Sequence, residues 1–175
     1  MITGLVRPLA QNSEQKHGFL QFSKKLDYGL FLLIELARMQ QWSLPQQGAE
    51  GALSAGQATV SLRNFATANN MSFLFMQKVA FELRKAGIIA AVRGKNGGYR
   101  LEKAADLVSL KEVIEVLEGP LSVMHCLIAE GNSNCSRQPT CKMRHGLGIV
   151  NQAIVSIFSQ TTLIHLLNPT WKPNV

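Results

Sequence analysis

The sequence predicts a mostly α-helical chain with one small β-hairpin, a winged helix-turn-helix domain followed by a long C-terminal helix. Three observations predict it. Two short stretches of helical periodicity, beginning at Ser61 and Ser72, are separated only by the tight turn Asn69-Asn70-Met71. A basic, glycine-rich hairpin follows directly. From about Lys142 to Gln160 apolar residues recur at three- and four-residue steps.

Residues 1–20 read as a loose tail, and residues 21–118 as the winged helix-turn-helix domain. A helix is expected from about Ser23, which can cap its N-terminus. Leu26, Leu30, Leu33, Ile34 and Ala37 form one apolar face at helical spacing. Residues 43–60, rich in Gly, Gln, Ala and Ser and containing Pro45, read as an inserted loop. Ser61 then caps a short helix that buries Leu62, Phe65 and Ala66. Ser72 caps a second helix running to about Ala86, with Phe73, Met76, Val79, Ala80 and Leu83 inward and Gly87 as the residue that ends it. Two short helices joined by a tight turn form a helix-turn-helix.

Ile88–Val92 reads as a strand, Arg93 to Gly98 as a hairpin tip and Tyr99-Arg100-Leu101 as the returning strand. A basic hairpin placed directly after a helix-turn-helix is a wing. Ser109 with Glu112 fits a capping box at the start of a helix that buries Val113, Ile114 and Leu117 and stops at Gly119-Pro120. Residues 119–141 form a loop-like segment containing all three cysteines. Residues 142–167 form the last long helix and a C-terminal segment, with Leu147, Val150, Ile154, Ile157 and Thr161 as a short seam. Packing on its own domain is the bland role of that seam. A partner helix in a homodimer is the preferred one, because so small a domain has little surface left to cover it.

The charge pattern points to a polyanion. The chain of 175 residues carries a net +7, and between Ser61 and Lys103 eight Lys and Arg face two acidic residues, a local +6. A solvated basic face would account for charge alone, but not for charge concentrated on a helix-turn-helix and its wing. The second helix of such a pair enters the major groove. Its outward residues are Leu74, Phe75, Gln77, Lys78, Phe81, Arg84 and Lys85. Gln77 can read adenine, Lys78 can reach guanine or phosphate, and Ser72 can meet a phosphate at the helix N-terminus. Phe75 is expected outward, against a thymine methyl or a sugar, or else against a neighbouring subunit. Arg93 and Lys95 on the wing suit the negative potential of a narrow minor groove. The expected partner is double-stranded DNA, with a palindromic operator if the protein is dimeric.

Composition excludes other classes. Apolar residues make up 46% of the chain and charged residues 17%, enough for a core. No apolar run reaches the roughly 18 residues of a membrane span, and Met1–Gly18 has no apolar signal segment, so no membrane partner is expected and a cytoplasmic location is. There is no Cys-x-x-Cys, no phosphate loop and no nucleophile–base constellation, so an enzyme is not expected. Cys126, Cys135 and Cys141 are an odd number packed into sixteen residues, which argues against disulfides and for one metal centre. Their gaps are wider than those usual in structural zinc sites and suit a cluster better than zinc. Zinc and a metal-free thiol switch stay open, as does a fourth ligand such as His125, His145 or an acidic side chain.

Taken together these residues resemble the Rrf2 family of winged-helix regulators, which includes regulators of iron–sulfur-cluster biogenesis and nitric-oxide-sensing repressors. The resemblance runs from about Phe22 to Leu167. It is carried by Phe22-Ser23-Lys24-Lys25-Leu26-Asp27-Tyr28-Gly29-Leu30, by Leu83-Arg84-Lys85-Ala86-Gly87-Ile88, by the wing from Val92 to Leu101, and by Glu118-Gly119-Pro120-Leu121 with the cysteines after it. It implies a homodimeric repressor or activator with crossed long helices. It implies an iron–sulfur cluster near the dimer interface, held by Cys126, Cys135 and Cys141. In the biogenesis regulators a His follows the last Cys by three residues; here that position is Arg144, and His145 is one further on. In the nitric-oxide sensors an Asp of the first helix of the other subunit completes a [4Fe–4S] cluster, and Asp27-Tyr28-Gly29-Leu30 matches that pattern. The resemblance therefore favours Asp27 over His145, and [4Fe–4S] over [2Fe–2S]. The first cysteine gap is longer than is usual in the family, and the tail and the 43–60 loop look like additions.

Overall fold

The structure is a computed structural model that describes residues 22–42, 59–94, 97–128 and 135–172. The expected tail, nearly all of the 43–60 loop, Lys95 and residues 129–134 of the cysteine segment lie outside the described residues.

Helix α1 (Lys24–Trp42) begins where Ser23 caps it, its Oγ accepting from the backbone N–H of Lys25 at 3.1 Å and Leu26 at 3.3 Å. Its buried face is wider than expected. Leu26, Leu33 and Ala37 are buried as the periodicity requires, but so are Leu32 and Leu36, whereas Leu30 and Ile34 are only half-buried. The reason is that α1 is the central element and has neighbours around much of its circumference.

Helix α2 (Leu62–Ala68) is capped by Ser61 and buries Leu62, Phe65 and Ala66. The turn after it places Asn70 at φ 53°, a conformation Asn tolerates better than most residues. Helix α3 (Phe73–Lys85) is capped by Ser72, whose Oγ accepts from Phe75 N–H at 3.4 Å. It ends in a Schellman motif. Gly87 at φ 71° donates to the carbonyl of Arg84, Ile88 donates to that of Leu83, each at 3.0 Å, and both Leu83 and Ile88 are fully buried. Ile88 therefore closes the helix, and the first strand starts one residue later than expected.

Strands β1 (Ile89–Val92) and β2 (Gly98–Leu101) pair antiparallel, from Ile89 opposite Leu101 to Val92 opposite Gly98. Val60 adds a bridge to Tyr99, with bonds of 2.8 and 2.9 Å in the two directions. Helix α4 (Leu110–Glu118) buries Leu110, Val113, Ile114 and Leu117. Only half of its expected capping box is realised: Ser109 accepts from Glu112 N–H at 3.1 Å, but the Glu112 carboxylate turns instead to Lys103 Nζ at 2.7 Å. Two 3₁₀ turns (His125–Leu127 and Gln138–Thr140) lead to α5 (Arg144–Gln160), and a short α6 (Leu163–Leu167) closes the chain.

One apolar cluster unites these elements, with α1 packed against α3, α4, α6 and β2. The C-terminal segment does not continue outward from α5. Leu163 is fully buried in the same cluster, and the N–H of Leu163 and of Ile164 donate to the carbonyls of Val108 and Ala105 at 3.0 and 3.3 Å. Thr161, expected in the seam of α5, is buried within its own chain; its Oγ1 donates to the carbonyl of Ile157 and its own carbonyl accepts from Leu110 N–H. Among the described residues no helix is long and apolar enough to cross a membrane.

Candidate functional site

Helix α3 is fixed on one side and free on the other. Met76, Val79, Ala80 and Leu83 are buried against the core. The opposite side presents Leu74, Gln77, Lys78, Phe81, Arg84 and Lys85 to solvent, a single stripe at three- and four-residue steps. The Arg84 guanidinium lies 5.9 Å from the centre of the Phe81 ring. Across an open cleft of about 670 Å³ from this stripe stands Tyr99 of β2, so helix and wing share one concave surface. Ser72 is exposed at the entrance to the helix, where backbone N–H groups and the positive end of the helix dipole face outward.

Phe75 is not part of that stripe. Its ring stands edge-on to Tyr28 of α1, with centroids 5.6 Å apart and planes at 89°, and it packs against the core. This corrects the outward placement expected for it. Phe75 precedes the fully buried Met76 and so lies on the flank of α3 that α1 covers, a neighbour contributed from some fifty residues away in the chain.

Arg93 is exposed at the end of β1, and Lys95 lies outside the described residues. Gly94 has φ 121°, and Gly97 donates to its carbonyl at 3.0 Å, closing the tip. Gly98 serves close approach: a Cβ there would meet the carbonyl oxygen of Val60 at 2.5 Å. The wing therefore needs its glycines for shape, whatever it binds.

A contact that sequence reasoning missed links α3 to α1 and α4. Lys25 Nζ pairs with the Glu82 carboxylate at 2.7 Å and also donates to the carbonyl of Leu117. Beside it, Ser23 donates to the carboxylate of Glu118. No pattern in the sequence announces this, because its three participants belong to α1, α3 and α4.

The cysteines lie between α4 and α5. Cys126 is half-buried in the first 3₁₀ turn, Cys135 is exposed, and Cys141 is half-buried at the end of the second turn; all three are free thiols. Asn151 of α5, also missed in the sequence, fastens the start of this segment: its Oδ1 accepts from Val123 N–H at 2.8 Å and from Ser122 Oγ at 3.1 Å. Cys141 and His145 line one cleft with Leu127 and Arg144. Asp27 is exposed in the first turn of α1. Three thiols free of disulfides, on short turns that leave them partly open, are a donor set chemically suited to a thiolate-held iron–sulfur cluster. Among the described residues of one chain, however, no three His, Cys, Asp or Glu side chains are gathered around a point where a metal ion could sit.

Helix α5 is only partly covered by its own chain. None of its residues is buried, and Ile149 and Val150 are both exposed.

Comparisons with known proteins agree with this architecture. Residues 49–169 match the model of the Rrf2 family, described as an iron-dependent transcriptional regulator. The transcriptional regulator NsrR of Halalkalibacterium halodurans is 30% identical over 148 residues, which cover 85% of this chain and 90% of that one. The solved structure of CymR, the global cysteine regulator of Bacillus subtilis, superposes with a TM-score of 0.61 at 28% identity, covering 84% of this chain and 95% of the other. The oxidized form of Staphylococcus aureus CymR gives a TM-score of 0.59 at 28% identity, covering 87% of this chain and all of the other. These relatives are transcriptional regulators rather than enzymes.

Proposed function

The chain belongs to the Rrf2 family of transcriptional regulators, and from that membership we propose that it is a homodimeric DNA-binding regulator whose operator affinity is set by an iron–sulfur cluster. The observation that carries the DNA reading is α3, with one side buried in the core and the other a continuous exposed stripe beside a basic wing. Gln77 and Lys78 read base edges in the major groove, Arg84 and Ser72 meet phosphates, and Arg93 and Lys95 follow the adjacent groove. The apolar side of α5, where Val150 is exposed and Leu147, Ile154 and Ile157 are only half-buried, supports the homodimer. Two-fold symmetry in the protein requires a palindromic operator.

The cluster reading rests on the chemistry of the donors. Cys126, Cys135 and Cys141 would hold it, with Asp27 of the partner subunit as the favoured fourth donor and His145 as the alternative. When bound, the cluster would supply a centre that responds to redox state, nitric oxide or iron–sulfur status. The protein itself links that segment to DNA. The segment continues from α4, whose C-terminal end is tied through Lys25 to Glu82 on α3.

A second reading is favoured by the exposed thiol of Cys135 and by the similarity to CymR, a cysteine regulator: a winged-helix regulator that is metal-free and acts through its thiols, or is stabilised by zinc. Anaerobic purification of the full chain with analysis of iron, sulfide and zinc separates these. The cluster reading expects coloured protein with about one cluster per subunit, lost in Cys135→Ala and reduced in Asp27→Ala more than in His145→Ala. Colourless protein, with or without stoichiometric zinc, overturns it and leaves the DNA reading intact. The DNA reading is tested separately with duplexes selected from a random pool. Binding should be salt-dependent, and Arg93→Ala should weaken it and lower the salt slope by about 1.

A further inference from the structure

We propose that Leu74 recognises the 5-methyl group of a thymine in the major groove, and so makes the operator thymine-specific at the base pair facing the first turn of α3. The inference rests on the DNA reading above and adds to it a named contact and a named base.

Leu74 is 71% exposed, more than any other large apolar side chain among the described residues. It is the second residue of a helix whose opposite side is wholly buried, so it cannot turn inward without displacing Met76 or Val79. Its neighbours on the stripe are Gln77 and Lys78, one turn further on. The remaining apolar member, Phe81, is 57% exposed and lies two turns away with the Arg84 guanidinium over its ring. Leu74 is thus the most exposed apolar group of a surface it shares with Gln77, Lys78, Phe81 and Arg84. The carboxylate of Glu82, which lines the same cleft, is engaged by Lys25.

Charge selects the occupant. The segment from Ser61 to Lys103 carries a local +6; Lys78 and Arg84 line the concave surface, and Lys85 and Arg93 are exposed nearby in the chain. That complements a polyanion, whereas an apolar protein partner would have to desolvate those cations. Among the groups that base pairs display in the major groove, the thymine methyl is the apolar one. One helical turn advances about 5.4 Å, so the base met by Leu74 lies within one or two base pairs of the one met by Gln77.

The test uses the full-length protein and a duplex selected by it from a random pool. Each thymine of the duplex is replaced in turn by deoxyuridine, which keeps every hydrogen-bonding group and removes only the methyl. Affinities are read by fluorescence anisotropy for wild type and Leu74→Ala, with circular dichroism to confirm that the variant is folded. Replacing the one thymine met by Leu74 in a half-site should weaken wild-type binding about three- to fivefold, the effect of one buried methyl. Leu74→Ala should lose at least as much on the unmodified duplex and be indifferent to deoxyuridine at that position, while remaining sensitive at others. Unchanged DNA affinity in Leu74→Ala would assign the side chain to a different partner and overturn the inference. So would losses from the variant and from the missing methyl that multiply rather than coincide. Absence of salt-dependent binding by the wild type would overturn the DNA reading itself, and the inference with it.

Discussion

Lys25 and Glu82 meet at 2.7 Å, which joins the first turn of α1 to the third turn of α3. The same ammonium donates to the Leu117 carbonyl near the end of α4. About a third of each side chain is exposed, 32% and 37%, so the ion pair is worth little by itself, roughly 0.5–1 kcal/mol, and is weakened by salt. Its position counts for more than its energy, because it links the helix proposed to read DNA to the helix from which the cysteine segment departs.

Lys25→Met should lower stability by about 1–2 kcal/mol, since it removes both the pair and the bond to the carbonyl. Glu82→Gln should cost less. A double-mutant cycle by urea denaturation should give a coupling under about 1 kcal/mol that shrinks at high salt. A zero coupling at low salt would deny the pair any energetic role.

Gly29 lies where α1 crosses α4 and α3 most closely. A Cβ there would stand 2.4 Å from Leu117 Cδ1 and 3.4 Å from Val79 Cγ1. Leu117 is buried and has little room to yield. Gly29→Ala should therefore destabilise by about 1–3 kcal/mol despite the better helix propensity of alanine. Combining it with Leu117→Ala should cost less than the two changes summed, because each relieves the misfit the other creates. Strict additivity would show that the helices part at this point without penalty.

Ser72 has two roles that substitutions can separate. Its hydroxyl caps α3, and its exposed position suits a phosphate. Ser72→Ala should lower stability by about 1 kcal/mol through the lost cap. Ser72→Asp keeps a capping oxygen and suits the helix dipole, so its melting temperature should stay near that of the wild type. Its DNA affinity should fall below that of Ser72→Ala, since the carboxylate would face phosphates. Affinity that follows stability across the three proteins would leave Ser72 only its cap.

Asn151 holds the start of the cysteine segment through Val123 N–H and Ser122 Oγ. Asn151→Leu leaves Val123 N–H without its acceptor, whereas Ser122 Oγ keeps the Met124 carbonyl, and should cost about 1–3 kcal/mol. Hydrogen exchange should accelerate locally at Val123 and its neighbours while α1 and α3 remain protected. Uniform acceleration throughout the chain would mean that the contact stabilises the whole fold rather than this junction.

The local features of the molecule were legible in its sequence. Ser23, Ser61, Ser72 and Ser109 cap the helices they precede, and Gly87 ends α3, because caps depend on residues within one turn of each other. The order of helices and hairpin, the inner face of α3 and the turn at Asn70 follow from the same short-range rules. Helix–turn–helix–wing order with clustered charge is also enough to place the candidate DNA surface. Pairing between distant elements was decided elsewhere. Phe75 faces Tyr28, Lys25 finds Glu82, Glu112 leaves its cap for Lys103, and Thr161 and Leu163 turn back into the core. Periodicity tells which side of a helix is apolar, but not how many neighbours surround it. For α1, enclosed by α3, α4, α6 and β2, only the packed structure decides that Leu32 and Leu36 are buried with Leu33.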